Sequence, residues 1–211
     1  MDIIVLVGAQ EKRFTVHKNV ITGRSAFFRA AVEGPFKEAE EKTVRLPEID
    51  PDLFSVYLQW IYSDKIVILG AGDIAKDTGG SKQRALLIEL YILADALDDR
   101  RLRNRTTDEF IDLCRSTSWP GCKSIKRIWN STPEGSKLRK LLIDYEMSKK
   151  RTSGACWIER NRKSLPKSFM SDLAIAFAKT GLDKRKVTNP RFASPLIYHD
   201  HDGDDTVAVG L

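Results

Sequence analysis

The sequence predicts an α+β fold, a small β-sheet flanked by a helical cluster and followed by an α-helical C-terminal region. Three observations carry this. Ile3–Val7 is an apolar, β-branched run and Arg13–Val16 alternates polar with apolar, the two joined by the polar Gly8–Lys12, the pattern of a hairpin. A third strand-like run, Thr43–Leu46, lies between helical segments that bring their own caps. From Ala85 onward apolar residues recur at helical spacing.

Taken in order, Lys18–Gly23 reads as a short helix ending where Gly23 can turn left-handed. Ser25 is placed to cap a helix over Ala26–Glu33, which Gly34-Pro35 stops. After the third strand, Asp50 caps a helix with Pro51 at its first position, where a missing N–H costs nothing. Phe54, Leu58 and Ile61 fall on one face of it. Lys65–Leu69 is strand-like, and Gly70–Lys82 reads as a glycine-rich loop. Ala85–Leu97 carries Leu86, Leu90, Leu93 and Leu97 on one stripe; Leu102–Leu113 aligns Leu102, Thr106, Phe110 and Leu113.

Trp119-Pro120-Gly121 marks a turn before a short helix, Lys123–Trp129. Thr132-Pro133 is expected to open a longer helix through Leu138, Leu141, Leu142 and Tyr145. Lys149–Gly154 reads as a basic linker, and Leu165-Pro166 precedes a last helix over Phe169–Lys179, with Phe169, Leu173, Ala176 and Phe177 aligned. The expected organisation is a compact domain over residues 1–115, a helical extension over 116–189, and a disordered acidic tail over 190–211, which is short of core material.

Composition narrows the class. The 211 residues are 42% hydrophobic and 30% charged, ordinary globular values. No apolar run approaches the ~20 residues that span a bilayer, and Met1–Val5 lacks the basic flank of a secretion signal. Three cysteines, Cys114, Cys122 and Cys156, form no CxxC pair and fit reduced thiols in cytoplasm or nucleus. The net charge of +6 is uneven: residues 100–167 hold 18 of the 35 basic and 7 of the 29 acidic residues, an excess of +11, which leaves −5 elsewhere. Such a segment attracts nucleic acid or an acidic protein face; solvated helix faces are the plainer reading.

The stretch Phe14–Tyr62 resembles a BTB/POZ domain. The residues that carry the likeness are Phe14, Val16, His17 and Lys18; Ser25, Phe27 and Phe28; Gly34, Phe36 and Glu38; Val44, Leu46 and Pro47; and Trp60, Ile61 and Tyr62. Tyr91–Asp95 and Leu102–Asn104 extend it, so the likeness covers about residues 1–115. The C-terminal half is similar in character to the tails of BTB proteins common in filamentous fungi.

The resemblance implies a non-enzymatic protein–protein interaction module, an adaptor or scaffold. Many such domains self-associate, and many dock a cullin to bring substrates to a ubiquitin ligase. The hydrophobic-x-Glu motif that contacts the cullin in those adaptors is matched by Phe36-Lys37-Glu38. Phe36 would be the buried anchor and Glu38 the acceptor of charge-assisted hydrogen bonds. The alternative, that Phe36 packs on the core and Glu38 caps a turn, stays open. Dimeric members carry a helix before the first strand; here that strand starts at Asp2, so a weaker self-association around Val20 and Ile21 is expected. No kelch, MATH or zinc-finger pattern accompanies the domain, which leaves the basic C-terminal half as the candidate substrate reader.

Other constellations lead less far. Gly70-Ala-Gly72-Asp-Ile-Ala75 imitates a dinucleotide fingerprint, but Thr78-Gly79-Gly80-Ser81 interrupts the helix that pyrophosphate binding requires, so no cofactor is expected. His17 has no nucleophile or carboxylate beside it in sequence and reads as structural. His199, Asp200, His201, Asp202, Asp204 and Asp205 offer imidazole and carboxylate groups but depart from calcium-loop spacing; a solvated tail without metal is favoured. The basic stretch with Trp119, Trp129 and Trp157 suggests a second function, a transcriptional or chromatin co-regulator touching nucleic acid, although Trp129 shares a helical face with Ile125 and Ile128. No catalytic residue is assigned.

Overall fold

A computed structural model of the chain describes residues 1–66, 79–149, 151–180 and 189–201. Contacts divide it into two compact units, residues 1–78 with 89–103 and residues 79–88 with 104–211.

The first unit is built on a three-stranded sheet of order β2-β1-β3, with β1 Asp2–Val7, β2 Lys12–His17 and β3 Thr43–Leu46. The expected hairpin is present: β1 and β2 are antiparallel, with Ile3 opposite Val16 and Val5 opposite Phe14. β3 runs parallel to β1, Val5 beside Val44 and Val7 beside Leu46. Side chains alternate across a strand, so Ile3, Val5 and Val7 all enter the core. At the hairpin turn Gly8 has φ +76°, and a Cβ there would stand 3.0 Å from the Pro51 ring, so both backbone and space favour glycine.

Four helices lie on this sheet's chain: α1 Lys18–Arg24, α2 Ala26–Glu33, α3 Lys37–Glu41 and α4 Pro51–Ser63. The Ser25 side chain caps α2, accepting the Phe28 N–H at 3.0 Å, and Asp50 caps α4, accepting from Asp52 and Leu53 at 2.8 and 2.9 Å. Two expectations are corrected. α1 continues through Gly23, which does not adopt positive φ; the turn out of the helix is taken by the extended Ser25 instead. The glycine break is followed by a helix, α3, which the sequence pattern did not predict because Lys37–Glu41 has no apolar face to bury. α4 ends at Asp64 in the left-handed region, and Lys65 and Ile66 form no strand; the rest of that expected strand, and Gly70–Ala75, lie outside the described residues.

The core of this unit centres on Phe28, Phe54 and Tyr57, with Val16, Ile21, Trp60, Leu93, Leu97 and Leu102 around them. Leu93 and Leu97 come from the end of α5 (Ser81–Ala96) and just after it, and Leu102 from the start of α6 (Arg100–Ser116). α5 is buried more widely than one leucine stripe, since Leu87, Ile88 and Tyr91 are inside as well, while Leu86 is only half-buried. A helix apolar on most of its circumference is a core helix.

The second unit adds α7 Cys122–Ser131, α8 Lys137–Ser148, α9 Arg151–Asn161, α10 Lys167–Thr180 and a 3-10 turn, Pro195–Tyr198. Ile125, Ile128 and Trp129 are buried together, as their spacing suggested. Thr132, however, does not cap α8. It ends α7, its hydroxyl donating to Ile128 O at 2.7 Å and accepting from buried Arg139 Nε at 3.1 Å. Gly135, at φ +84°, then separates the helices, so α8 starts four residues later than Thr132-Pro133 implied. The expected basic linker after Ser148 is largely helix, because α9 begins at Arg151 and Gly154 is buried. Phe177, placed on the apolar stripe of the last helix, is exposed, whereas Phe169 and Leu173 are buried.

Of the expected tail, residues 190–201 are described and 202–211 lie outside the described residues. Tyr198 is fully buried and donates to Asp144 Oδ2 at 3.1 Å, while Phe192, Leu196 and Ile197 are exposed. His199 Nε2 meets Asp108 Oδ1 at 2.7 Å, and the backbone of Asp200 exchanges two hydrogen bonds with the Asn104 amide, at 2.8 and 3.0 Å.

Candidate functional site

The ring of Phe36 is presented by a short sequence of local constraints. α2 ends at Gly34, whose backbone is extended (φ −81°, ψ 177°). A Cβ at Gly34 would fall 2.4 Å from Ala30 O and 2.9 Å from Phe36 Cδ2, so the ring rests where a side chain would stand. Phe36 is itself extended (φ −108°, ψ 158°) and leads into α3, with Ala39 N–H donating to its carbonyl at 3.0 Å.

The result is an open groove of ≈ 330 Å³ lined by Phe27, Ala30, Ala31, Phe36, Glu38, Val44 and Arg45. Its walls come from α2, α3 and β3. Phe36 is 54% exposed and Phe27 37% exposed, while Phe28 beside Phe27 is wholly inside, its ring 5.3 Å away and edge-on. The adjacent Phe-Phe pair therefore splits, one ring holding α2 to the core and the other facing the groove. Phe36 does not pack into the core. Among the described residues the Glu38 carboxylate has no ion pair or hydrogen bond, whereas Arg45 across the groove is held by Glu41 at 3.1 Å and Glu11 at 3.6 Å. An apolar recess beside an uncommitted carboxylate suits an incoming apolar side chain next to a cation or N–H donor.

Below the groove, polar groups fix the start of α2. Ser25 Oγ donates to Leu97 O, and the Asp99 carboxylate accepts the Leu102 N–H at 2.9 Å. Asp99 is fully buried near Tyr57, Trp60 and Arg24, and burial raises its pKa above the usual carboxylate value even though those donors pull it down. Tyr57 is raised too, first by burial and then by the Asp99 charge. Sequence reading missed this cluster; its only signal is a run, Asp95, Asp98 and Asp99, in which Asp99 stands directly before a helix.

The remaining candidates disperse. Of the residues expected to support self-association, Val20 is half-buried against the core and Ile21 is fully inside it. His17 Nδ1 lies 2.9 Å from the Tyr62 hydroxyl, which also accepts the His17 N–H at 3.1 Å, tying the end of β2 to the end of α4. Among the described residues no three His, Cys, Asp or Glu side chains gather as a metal site; His199 and His201 have protein partners, and residues 202, 204 and 205 lie outside the described part.

Comparison with known proteins agrees with this architecture. Residues 1–79 match the family model of the BTB/POZ domain. The chain is 28% identical over 123 residues to TD and POZ domain-containing protein 3 of Mus musculus, covering 58% of this chain and 33% of that protein. It is 29% identical over 102 residues to BTB/POZ and MATH domain-containing protein 3 of Arabidopsis thaliana (48% and 24%). With BTB and MATH domain-containing protein 15 of Caenorhabditis elegans it shares 35% over 72 residues (34% and 26%). The chain thus spans about a quarter to a third of the length of these relatives.

Proposed function

We propose that this chain is a non-enzymatic adaptor or scaffold whose BTB/POZ domain, a protein–protein interaction module, docks a cullin-type scaffold through the groove at Phe36 and Glu38. The observation that supports the cullin reading is the position of Phe36. An aromatic ring left half outside, at the rim of an apolar recess and two residues from an unpaired carboxylate, costs hydration without benefit to the isolated fold. A partner's apolar side chain seated between Phe27 and Phe36 would recover that loss, and Glu38 would accept a hydrogen bond from a basic or amide donor beside it. Self-association by way of Val20 at the edge of α1 is a second and weaker contact of the same module.

The test is a binding measurement between the full chain and the BTB-binding region of a cullin. Phe36→Ala should weaken binding by about 30-fold or more, the effect of truncating an aromatic anchor, and Glu38→Lys should do the same by charge reversal. Wild type that fails to bind, or variants that bind as wild type does, would remove the cullin and leave a scaffold for other proteins. Light scattering of wild type against Val20→Glu tests the self-contact.

A further inference from the structure

Beyond the groove, the second unit presents a surface of a different chemistry. α7 buries Ile125, Ile128 and Trp129 and turns Lys123, Lys126 and Arg127 outward. The Cys122 thiol at its start donates to Asn161 Oδ1 at 3.3 Å, at the end of α9. Asn161 is itself fixed: its amide donates to Trp157 O at 2.8 Å, and its carbonyl accepts from Ser164 and Leu165 at 2.8 and 3.2 Å, while Leu165 is buried below. Lys123 directly follows Cys122 in sequence, and Arg160, Arg162 and Lys163 flank Asn161, so this contact brings the two basic stretches to one side of the unit; all four cations are exposed.

Two features separate this surface from a solvated helix face. Across α7 and residues 157–167 there are seven basic residues and one acid, Glu159. Among the described residues, Lys123, Lys126, Arg160, Arg162 and Lys163 make no ion pair, whereas Arg105, Arg115, Arg139, Lys140 and Lys149 of the same unit each have a carboxylate partner. The surface also lacks an apolar centre. Among the described residues the large exposed hydrophobics of the unit are Ile175, Phe177, Phe192, Leu196 and Ile197, none of them on α7 or between Gly154 and Lys167. Protein interfaces bury aromatic or aliphatic anchors at their centre; a polyanion needs only spaced cations that replace its counterions.

We infer that the surface formed by Lys123, Lys126, Arg160, Arg162 and Lys163 binds the phosphate backbone of nucleic acid without reading its sequence. The experiment is fluorescence anisotropy of the full chain with a labelled 20-base-pair duplex of arbitrary sequence, at a series of salt concentrations. Each phosphate neutralised contributes about −0.9 to the slope of log K against log[salt], so contacts from four or all five of these cations predict a slope of about −4. Lys123→Glu/Arg162→Glu should weaken binding at least tenfold and flatten the slope by about two, while Lys37→Glu on the first unit leaves both nearly unchanged. A second pair, Lys126→Gln/Lys163→Gln, should weaken binding with little risk to folding, since both side chains are exposed. Three results overturn the inference: no binding in low salt, equal loss from Lys37→Glu, or tighter binding of a polyglutamate peptide than of the duplex, which would assign the surface to an acidic protein.

Discussion

Asp99 Oδ1 accepts the Leu102 N–H at 2.9 Å while its second oxygen, fully buried, has no hydrogen-bond partner among the described residues. One oxygen of the carboxylate therefore caps α6 while the charged group as a whole lies out of water. Burial holds its pKa above the ordinary value of 3.8, with Leu102, Trp60, Arg24 and Tyr57 opposing the shift. As pH rises through the ordinary aspartate range, the unfolded chain releases this proton first. The group's contribution to stability thus falls from there up to the folded-state pKa and is level above it. Asp99→Asn keeps the cap and removes the charge. Its urea midpoint at pH 7 should lie above that of wild type, with the gap closing toward pH 4. Asp99→Ala, which also loses the cap, should fall below Asp99→Asn by about 1 kcal/mol. Glu146 is raised in the same direction by burial, so the variant-minus-wild-type difference, not the wild-type curve, isolates Asp99.

Gly34→Ala tests whether the groove depends on a missing side chain. The backbone at Gly34 is extended and tolerates any residue, so the effect is steric alone. With the new Cβ 2.4 Å from Ala30 O and against the Phe36 ring, the last turn of α2 must shift. A loss of about 1–3 kcal/mol is expected, typical of overpacking, together with weaker partner binding. Thermal denaturation and the cullin titration read the two effects separately; an unchanged melting temperature would mean that the last turn of α2 and the Phe36 ring both give way without cost.

These cases mark what was legible in the chain and what was not. Local chemistry reads directly: Ser25 and Asp50 cap because a short polar side chain before an apolar periodic run has few other uses. The hairpin and β3 follow from side-chain alternation. Long-range packing does not read so. Gly23 looked like a stop, yet nothing lies within 4 Å of its Cβ position and the helix passes through. Thr132-Pro133 has the form of a helix start, but Arg139, seven residues on, takes the Thr132 hydroxyl and carbonyl for itself. A local motif points to Phe36 and Glu38; that Phe27, Ala30 and Val44 complete their groove depends on α2 lying beside β3, which no local pattern encodes.

The three cysteines should differ widely in reactivity. Cys114 is fully buried, and burial pushes its thiol up to about 11 although nearby Arg84 favours the thiolate. Thiolate is the reactive form, so at pH 8 Cys114 should resist iodoacetamide until the unit unfolds. Cys156, exposed, should react first, and half-buried Cys122, bonded to Asn161, more slowly. Peptide mass mapping over time gives the order. Rapid labelling of Cys114 in the native protein would show that α6 opens far more readily than its packing implies.

Tyr198 decides whether residues 189–201 belong to the fold of the second unit. Its ring is fully buried, its hydroxyl donates to Asp144 at 3.1 Å, and Lys140 Nζ lies 5.0 Å over the ring while also pairing with Asp144 at 2.5 Å. Removing only the hydroxyl leaves Asp144 its lysine, so Tyr198→Phe should cost about 1 kcal/mol, a single hydrogen bond. Tyr198→Ala removes the ring from a closed site and should cost about 3 kcal/mol or more, as large-to-small core changes do. Asn104→Ala, which frees the backbone of Asp200, should add to the loss from Tyr198→Phe, because the two contacts share no partner. Urea unfolding of the single and double variants measures each term, and hydrogen exchange locates it: amides of residues 189–201 should lose protection in Tyr198→Ala before those of α8. A Tyr198→Ala protein as stable as wild type would return this segment to the status of a solvated tail.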